Sequence, residues 1–209
     1  MKGLLLKDYY MAKYHCKMSF VIILLFIAVS IIVSDSLFFC AYPMLAAMMV
    51  PLTLLSYDER NRWERNSATM PYTRSQLVSV KYLDMLILLV GCLILVGIAQ
   101  GVRMLRTGNG IQWENLGILL VALLGIGMLS PCFLLPIVFR LGVEKGRLWY
   151  YVFLVGFFIA VSAVANILPE FHLSEMKGIW LLLGGVLLAV IVLLISWNLS
   201  IHFYERREL

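Results

Sequence analysis

The chain has 209 residues, of which 62% are hydrophobic and 14% charged, and its formal net charge is +5. The average soluble domain carries about 25% charged residues, and a small globule cannot hide this much apolar surface from water. The basic residues lie between apolar runs and not along one stripe, so the composition predicts an integral membrane protein and argues against a nucleic-acid-binding protein.

The first predicted element is a helix within residues 2–17, KGLLLKDYYMAKYHCK. Leu5, Tyr9 and Ala12 lie near one face of such a helix. Its lysines, including Lys7, carry charge that can reach the lipid headgroups. This pattern predicts an interfacial helix on the inner leaflet, and a solvated basic leader that only fixes topology is the alternative.

Six apolar runs follow, and each is close to the ~20 residues that cross the hydrocarbon core as a helix. The runs lack period-two alternation, so helices are predicted in place of a closed barrel. The predicted spans are residues 18–34, 37–56, 76–102, 115–139, 148–168 and 178–202. The sequence therefore predicts one all-α integral membrane domain over residues 1–209.

The distribution of Lys and Arg predicts how these spans are oriented. With a cytoplasmic N-terminus, only Arg103, Arg106 and Lys177 of the 17 basic residues fall on the outer side. Cytoplasmic loops of membrane proteins carry an excess of Lys and Arg. Both termini are therefore predicted to be cytoplasmic, in a multi-pass protein of the cytoplasmic (plasma) membrane.

The connection between the second and third spans is polar and contains two helix-start patterns. Ser56 with Glu59 forms one capping box, and Thr73 with Gln76 forms another just before the third span. The first pattern predicts a short cytoplasmic helix with an exposed Trp63 in its middle. Aromatic and Arg side chains are typical interface anchors, so this helix is predicted to dock a cytoplasmic partner. The alternative is an interfacial helix with Trp63 among the headgroups.

Two inner surfaces are candidates for this docking. The candidate residues of the predicted short helix are Asp58, Glu59, Arg62, Trp63, Glu64 and Arg65. The inner loop after the fourth span carries charges of both signs at Glu144, Lys145 and Arg147. This loop is a candidate secondary contact for the same partner, and topology signalling alone is the alternative.

Three residues inside the spans are candidates for a role in transport. Pro131 and Pro136 each remove a backbone hydrogen bond from the fourth span and are candidate pivots, although prolines are also frequent in ordinary spans. Asp84 is an ionisable residue a turn or two inside the third span, which makes it a functional candidate. Lys81 precedes it by three residues and can neutralise it, so a structural role is the preferred interpretation.

No catalytic, cofactor or metal site is predicted in this chain. It contains no G-x-x-x-x-G-K-[ST] motif, so P-loop hydrolysis of ATP needs another subunit. The three histidines and four cysteines are scattered, without metal-ligand spacing or a disulfide pattern.

The polar connection resembles that of permeases of second-type ABC exporters. The residues that carry the resemblance are Glu59, Trp63-Glu64, Met70-Pro71, Arg74 and Lys81-Tyr82. The opening LLLKDYY is similar to the small bacterial branch that exports amphipathic peptides such as phenol-soluble modulins. The resemblance implies that residues 58–65 are a coupling helix, which fits a groove on a separate P-loop ATPase, and that ATP and magnesium bind in that ATPase.

The chain is therefore expected to be the membrane subunit of an ATP-driven exporter of amphipathic or hydrophobic cargo, and not an enzyme by itself. Six spans enclose little space, so pairing with a second copy or a homologous permease is expected. The expected partners are this permease, the P-loop ATPase, membrane lipids and amphipathic peptide cargo. The alternatives are an ion-coupled secondary transporter that uses Asp84 and a membrane immunity or scaffold protein.

Overall fold

The computed structural model describes residues 2–32, 37–47, 49–61, 63, 72–107, 113–167 and 175–205. The regular structure of this part of the chain is α-helical and comprises eight helices. They are α1 (Lys2–His15), α2 (Lys17–Ile32), α3 (Leu37–Ala47), α4 (Met49–Arg60), α5 (Arg74–Arg106), α6 (Trp113–Leu141), α7 (Val143–Ile167) and α8 (Glu175–Glu205).

Four helical segments in the described residues are long and apolar enough to cross a membrane. They are Phe38–Arg60, Arg74–Arg106, Trp113–Leu141 and Gly184–Tyr204. The bent pair of α1 and α2 raises the number to at most five. The prediction of an all-α membrane protein is confirmed, whereas six spans and the orientation of the termini stay predictions.

The predicted N-terminal helix is present as α1, which meets α2 at an angle of 75°. Such a bend lets α2 cross a bilayer while α1 lies along its surface. One face of α1 buries Leu4 and Asp8 against the other helices. The opposite face exposes Leu6, Tyr9, Tyr10 and Tyr14. An apolar and aromatic outer face agrees with an interfacial position, which stays a prediction.

The second predicted capping box is confirmed at the start of α5. Thr73 has an extended backbone, and its hydroxyl accepts the backbone N–H of Gln76 at 3.3 Å. The side-chain carbonyl of Gln76 accepts the backbone N–H of Thr73 at the same distance. Two N–H groups at the helix start are thus satisfied locally, which fixes where the third predicted span begins.

The first predicted capping box is wrong. Ser56 lies inside α4, which continues the second predicted span without interruption to Arg60. Packing against α1 explains the continuation, because the Tyr57 ring packs at a tilt against His15 with ring centroids 4.1 Å apart. These contacts hold the last turns of α4 in the helix. Arg62, Glu64 and Arg65, three of the predicted docking residues, lie outside the described residues.

The predicted inner loop after the fourth span is also shorter than expected. A single residue, Gly142, separates α6 from α7, and its φ is +87°. Glycine is the residue that adopts this left-handed backbone without a steric penalty. Glu144, Lys145 and Arg147 therefore lie in the first turns of α7 and not in a loop, and all three are exposed.

Both proline pivot candidates are buried within the continuous helix α6, which packs along α8. Pro136 has no N–H to donate to the carbonyl of Cys132, and the Ser196 hydroxyl of α8 donates to that carbonyl at 2.7 Å. Tyr82 of α5 shares hydrogen bonds with Ser196 at 2.9 Å and with Ser200 at 2.7 Å. This polar network joins α5, α6 and α8; a pivot role for the prolines stays a prediction.

Candidate functional site

Four charged side chains meet at the end of the bundle where α1 packs. Lys81 of α5 donates to Asp8 of α1 at 2.7 Å and to Asp58 of α4 at 2.8 Å. Lys7 of α1 donates to the other oxygen of Asp58 at 2.6 Å. We call Lys7, Asp8, Asp58 and Lys81 the ionic cluster. It joins three helices that are distant in sequence.

Three members of the ionic cluster are almost fully removed from solvent, whereas the Lys7 side chain is 22% exposed. Asp8 is 2% exposed and Lys81 is 6% exposed. Burying charges costs several kcal/mol per ion, and this cost is offset only when the charges are paired and hydrogen-bonded. Lys81 satisfies this condition by donating to two carboxylates. Removal of a single partner would therefore leave an uncompensated buried charge.

The pKa of Asp8 follows from this environment. Burial by itself raises the pKa of the carboxyl. The charge of Lys81 lowers it, as do hydrogen bonds with Asp84 and with Lys81. The charge of Lys7 adds to this effect, and the pKa of Asp8 ends below its ordinary value of 3.8. Asp8 is therefore ionised at neutral pH.

Trp63, the predicted docking anchor, packs close to the ionic cluster. The ammonium group of Lys7 lies 4.0 Å from the centroid of the indole ring. A cation over an aromatic face contributes about 0.5–1 kcal/mol at an exposed site and more when desolvated. Trp63 is half-buried, in contrast to the exposed position that the sequence predicted. Trp63 is thus in contact with α1.

Glu59, another of the predicted docking residues, caps α7. One carboxylate oxygen of Glu59 accepts the backbone N–H of Val143 at 3.1 Å. The other would lie 3.3 Å from a Cβ placed on Gly142, so the absence of a side chain there permits the approach. The first N–H groups of a helix lack partners within the helix, and a carboxylate near them is favourable. The two predicted inner surfaces are therefore in direct contact.

The ionic cluster forms one wall of a small cavity of about 50 Å³, which has room for one or two water molecules. Trp63 and Glu59 also line the cavity. The opposite wall is mainly apolar and consists of residues from α6, the α6–α7 junction and the end of α8. Val138, Phe139, Val143 and Tyr204 belong to this wall. Side chains from the start, middle and end of the chain thus converge on one point.

The sequence did not predict the roles of Lys7, Asp8 and Lys81 in this site. Lys7 was expected to reach the headgroups and Lys81 to neutralise Asp84, but both pair with Asp58. The one available signal was Asp8, the single acidic residue among the first 17. Asp8 lies four residues after Leu4 and so on the same helical face, and a carboxylate on a face that packs needs a buried partner.

The described residues contain no group of three or more His, Cys, Asp or Glu side chains that could hold a metal ion. The site is instead an arrangement of ion pairs and a helix cap that connects α1, α4, α5 and α7. Such an arrangement can transmit a displacement between elements, because its members are buried and their partners fixed.

Comparison with known families agrees with a transport function. The family model described as ABC-2 family transporter protein matches residues 3–205. The chain belongs to the ABC-2 transporter family. As a member, it is a transmembrane subunit of an ABC transporter, a transport component and not a catalytic enzyme by itself, and the family implies an ATPase partner. No curated protein and no solved structure gave a match.

Proposed function

We propose that this ABC-2 permease is the membrane half of an exporter that moves amphipathic or hydrophobic cargo outward across the cytoplasmic membrane. A separate P-loop ATPase supplies the energy and docks on the segment of residues 58–65. Glu144, Lys145 and Arg147 make a secondary contact with it. Two permeases, identical or homologous, enclose the path of the cargo.

The observation that carries this proposal is the attachment of the end of α4 to three other helices. Asp58 binds α1 and α5 through Lys7 and Lys81, and Glu59 binds the start of α7 through Val143. A force applied by a closing ATPase just beyond these residues would reach all four helices through short polar contacts. A loose linker between two spans would not transmit such a force.

The character of the spans supports an amphipathic cargo. The described helices that qualify as spans are strongly apolar, with mean hydropathy between 1.9 and 2.6 in their most apolar windows. A path lined by such helices offers few charged groups that could replace the hydration shell of a small ion. Amphipathic peptides, such as those exported by the bacterial branch that the N-terminus resembles, need no such groups.

The proposal is tested by reconstituting the permease with its co-purified ATPase in inside-out vesicles. The probe is a fluorescently labelled amphipathic helical peptide, and both its uptake and ATP hydrolysis are measured. Trp63→Ala is expected to lower peptide uptake strongly, since loss of an interface hot-spot aromatic costs about 2 kcal/mol or more, roughly thirty-fold in affinity. Glu59→Gln is expected to reduce uptake relative to ATP hydrolysis.

The matched controls are Trp113→Ala and Glu114→Gln, which alter an exposed Trp and an exposed Glu at the start of α6, far along the chain from the site. Both should transport peptide like the unmodified protein. Unchanged uptake in both Trp63→Ala and Glu59→Gln would contradict the assignment of residues 58–65 as the docking segment. Peptide transport by the permease in the absence of both the ATPase and ATP would contradict the proposal of an ATP-driven exporter.

A further inference from the structure

Two buried carboxylate oxygens beside the ionic cluster have no hydrogen-bond donor among the described residues. They are Oδ1 of Asp8 and Oδ2 of Asp84. The other oxygen of Asp8 accepts from Lys81, whereas Lys7 lies 3.5 Å from Oδ1 as an ion pair and makes no hydrogen bond to it. A buried acceptor without a donor costs about 1–3 kcal/mol, and more when it is charged. The ionic cluster alone supplies no donor that would offset this cost.

The two carboxyl groups that carry these oxygens are neighbours. The carboxyl groups of Asp8 and Asp84 lie within hydrogen-bonding distance, across the contact between α1 and α5. Two ionised carboxylates can only accept hydrogen bonds, and neighbouring negative charges in a buried site repel each other. One added proton would turn two unsatisfied acceptors into a donor and an acceptor.

The balance of charge around the pair also favours one bound proton. Besides Asp8 itself, the described charged and titratable residues that line the neighbouring cavity are Lys7 from α1, Asp58 and Glu59 from α4, Lys81 from α5 and Tyr204 from α8. Glu59 is engaged with the start of α7. Three carboxylates, those of Asp8, Asp58 and Asp84, therefore face two ammonium groups. One proton makes this buried set neutral.

The remaining side of α1 adds no charge to the set. Cys16 packs there in an apolar cluster with Leu88, one turn beyond Asp84. Burial raises the pKa of the Cys16 thiol, so it stays neutral. The α6–α7 junction contributes apolar side chains to the wall of the neighbouring cavity. Lys81 and Lys7 are the cations whose charges act on Asp8 and Asp84.

We propose that Asp8 and Asp84 together bind one proton at neutral pH and that this proton holds α1 against α5. Asp84 carries the proton and donates it to Oδ1 of Asp8, because Asp8 is the member that Lys81 and Lys7 keep ionised. Loss of the proton at alkaline pH adds an unpaired buried negative charge and loosens α1. The pair is thus a proton-binding site at the base of the third span.

Infrared spectroscopy of the full chain in lipid nanodiscs tests this proposal. A protonated carboxylic acid has a C=O stretch that is separate from the carboxylate bands and shifts in D₂O. This band is expected at neutral pH in the unmodified protein and in the control Glu114→Gln, which lacks an exposed carboxyl. It is expected to be absent in Asp84→Asn. Absence of the band from the unmodified protein would overturn the proposal, since a water molecule donating to two ionised carboxylates gives no such band.

Thermal unfolding gives a second readout. The side-chain amide that Asp84→Asn introduces can donate to Asp8 without titrating. The midpoint of the unmodified protein is therefore expected to fall from mildly acidic to mildly alkaline pH, while that of Asp84→Asn stays level. Equal slopes in the two proteins would contradict the proposal. If Asp84→Asn does not fold, the infrared band of the unmodified protein decides alone.

Discussion

Glu59 accepts the backbone N–H of Val143 at 3.1 Å, although 84 positions separate the two residues in the sequence. The hydrogen bond places the carboxylate at the N-terminus of α7 and fixes the last turn of α4 beside it. A carboxylate at this position also interacts favourably with the helix dipole. Movement of the last turn of α4 would therefore act directly on the start of α7.

The close approach at this cap makes Gly142 sensitive to substitution. Gly142→Ala places a Cβ on a backbone with φ +87° and 3.3 Å from Glu59 Oε1. The left-handed backbone alone costs an L-residue about 1–2 kcal/mol, so the thermal unfolding midpoint in detergent should fall.

The control for Gly142→Ala is Gly156→Ala, within α7. A Cβ at Gly156 meets nothing within 4 Å, and Ala is the better helix former. Its unfolding midpoint should stay level or rise slightly. A midpoint for Gly142→Ala that matches this control would show that the cap tolerates a side chain.

Removal of the central ammonium group should disrupt the ionic cluster. Lys81→Met leaves Asp8 and Asp58 buried without their shared donor. Breaking a buried pair from one side costs about 3–5 kcal/mol, and thermal or denaturant unfolding measures this loss. Lys13→Met, which changes an exposed lysine of α1, should have little effect.

A compensated variant separates the loss of pairing from the loss of packing. Lys81→Met combined with Asp8→Asn and Asp58→Asn leaves only the charge of Lys7 in the cluster, and this side chain is 22% exposed to water. Replacement of a whole buried ionic set by neutral groups is often close to neutral in stability. The triple variant should therefore be more stable than Lys81→Met alone; lower stability would assign the effect of Lys81 to packing.

The carbonyl left free by Pro136 should make Ser196 important for stability. Ser196→Ala removes the hydroxyl that donates to Cys132 O at 2.7 Å, and an unpaired buried carbonyl costs about 1–3 kcal/mol. Pro136→Ala restores a backbone N–H for this carbonyl, so Ser196→Ala should be milder in that background. A double-mutant cycle of unfolding free energies measures the coupling, and strict additivity would contradict it.

Acid should weaken the attachment of α1. The folded-state pKa of Asp8 lies below its ordinary value of 3.8, so Asp8 stabilises the folded protein fully above that ordinary value. This stabilisation is lost as the pH falls through the lower, folded-state pKa. Unfolding midpoints measured below about pH 4 should therefore fall more steeply in the unmodified protein than in Asp8→Asn. Parallel acid slopes would show that the protonation of Asp8 is not linked to folding.

Local and compositional signals in the sequence determined the membrane class, the all-α character of the chain and the start of α5. The apolar runs are long enough to need lipid, and the reciprocal bonds of Thr73 and Gln76 act within one helical turn. For the same reason the N-terminal helix could be predicted from its own residues. The residues of the polar connection and their order indicated the family, and the match over residues 3–205 confirmed it.

Tertiary structure decided where the charged residues of the site lie. Ser56 has the pattern of a helix start, but packing of Tyr57 on His15 keeps it within α4. Lys81 is three residues from Asp84, yet it binds Asp8, 73 positions away. A buried charge pairs with the opposite charges that the packed helices bring close to it. The pairing is strong because water is excluded and an unpaired charge would be costly there. Sequence spacing cannot reveal it, because the partners come from separate helices.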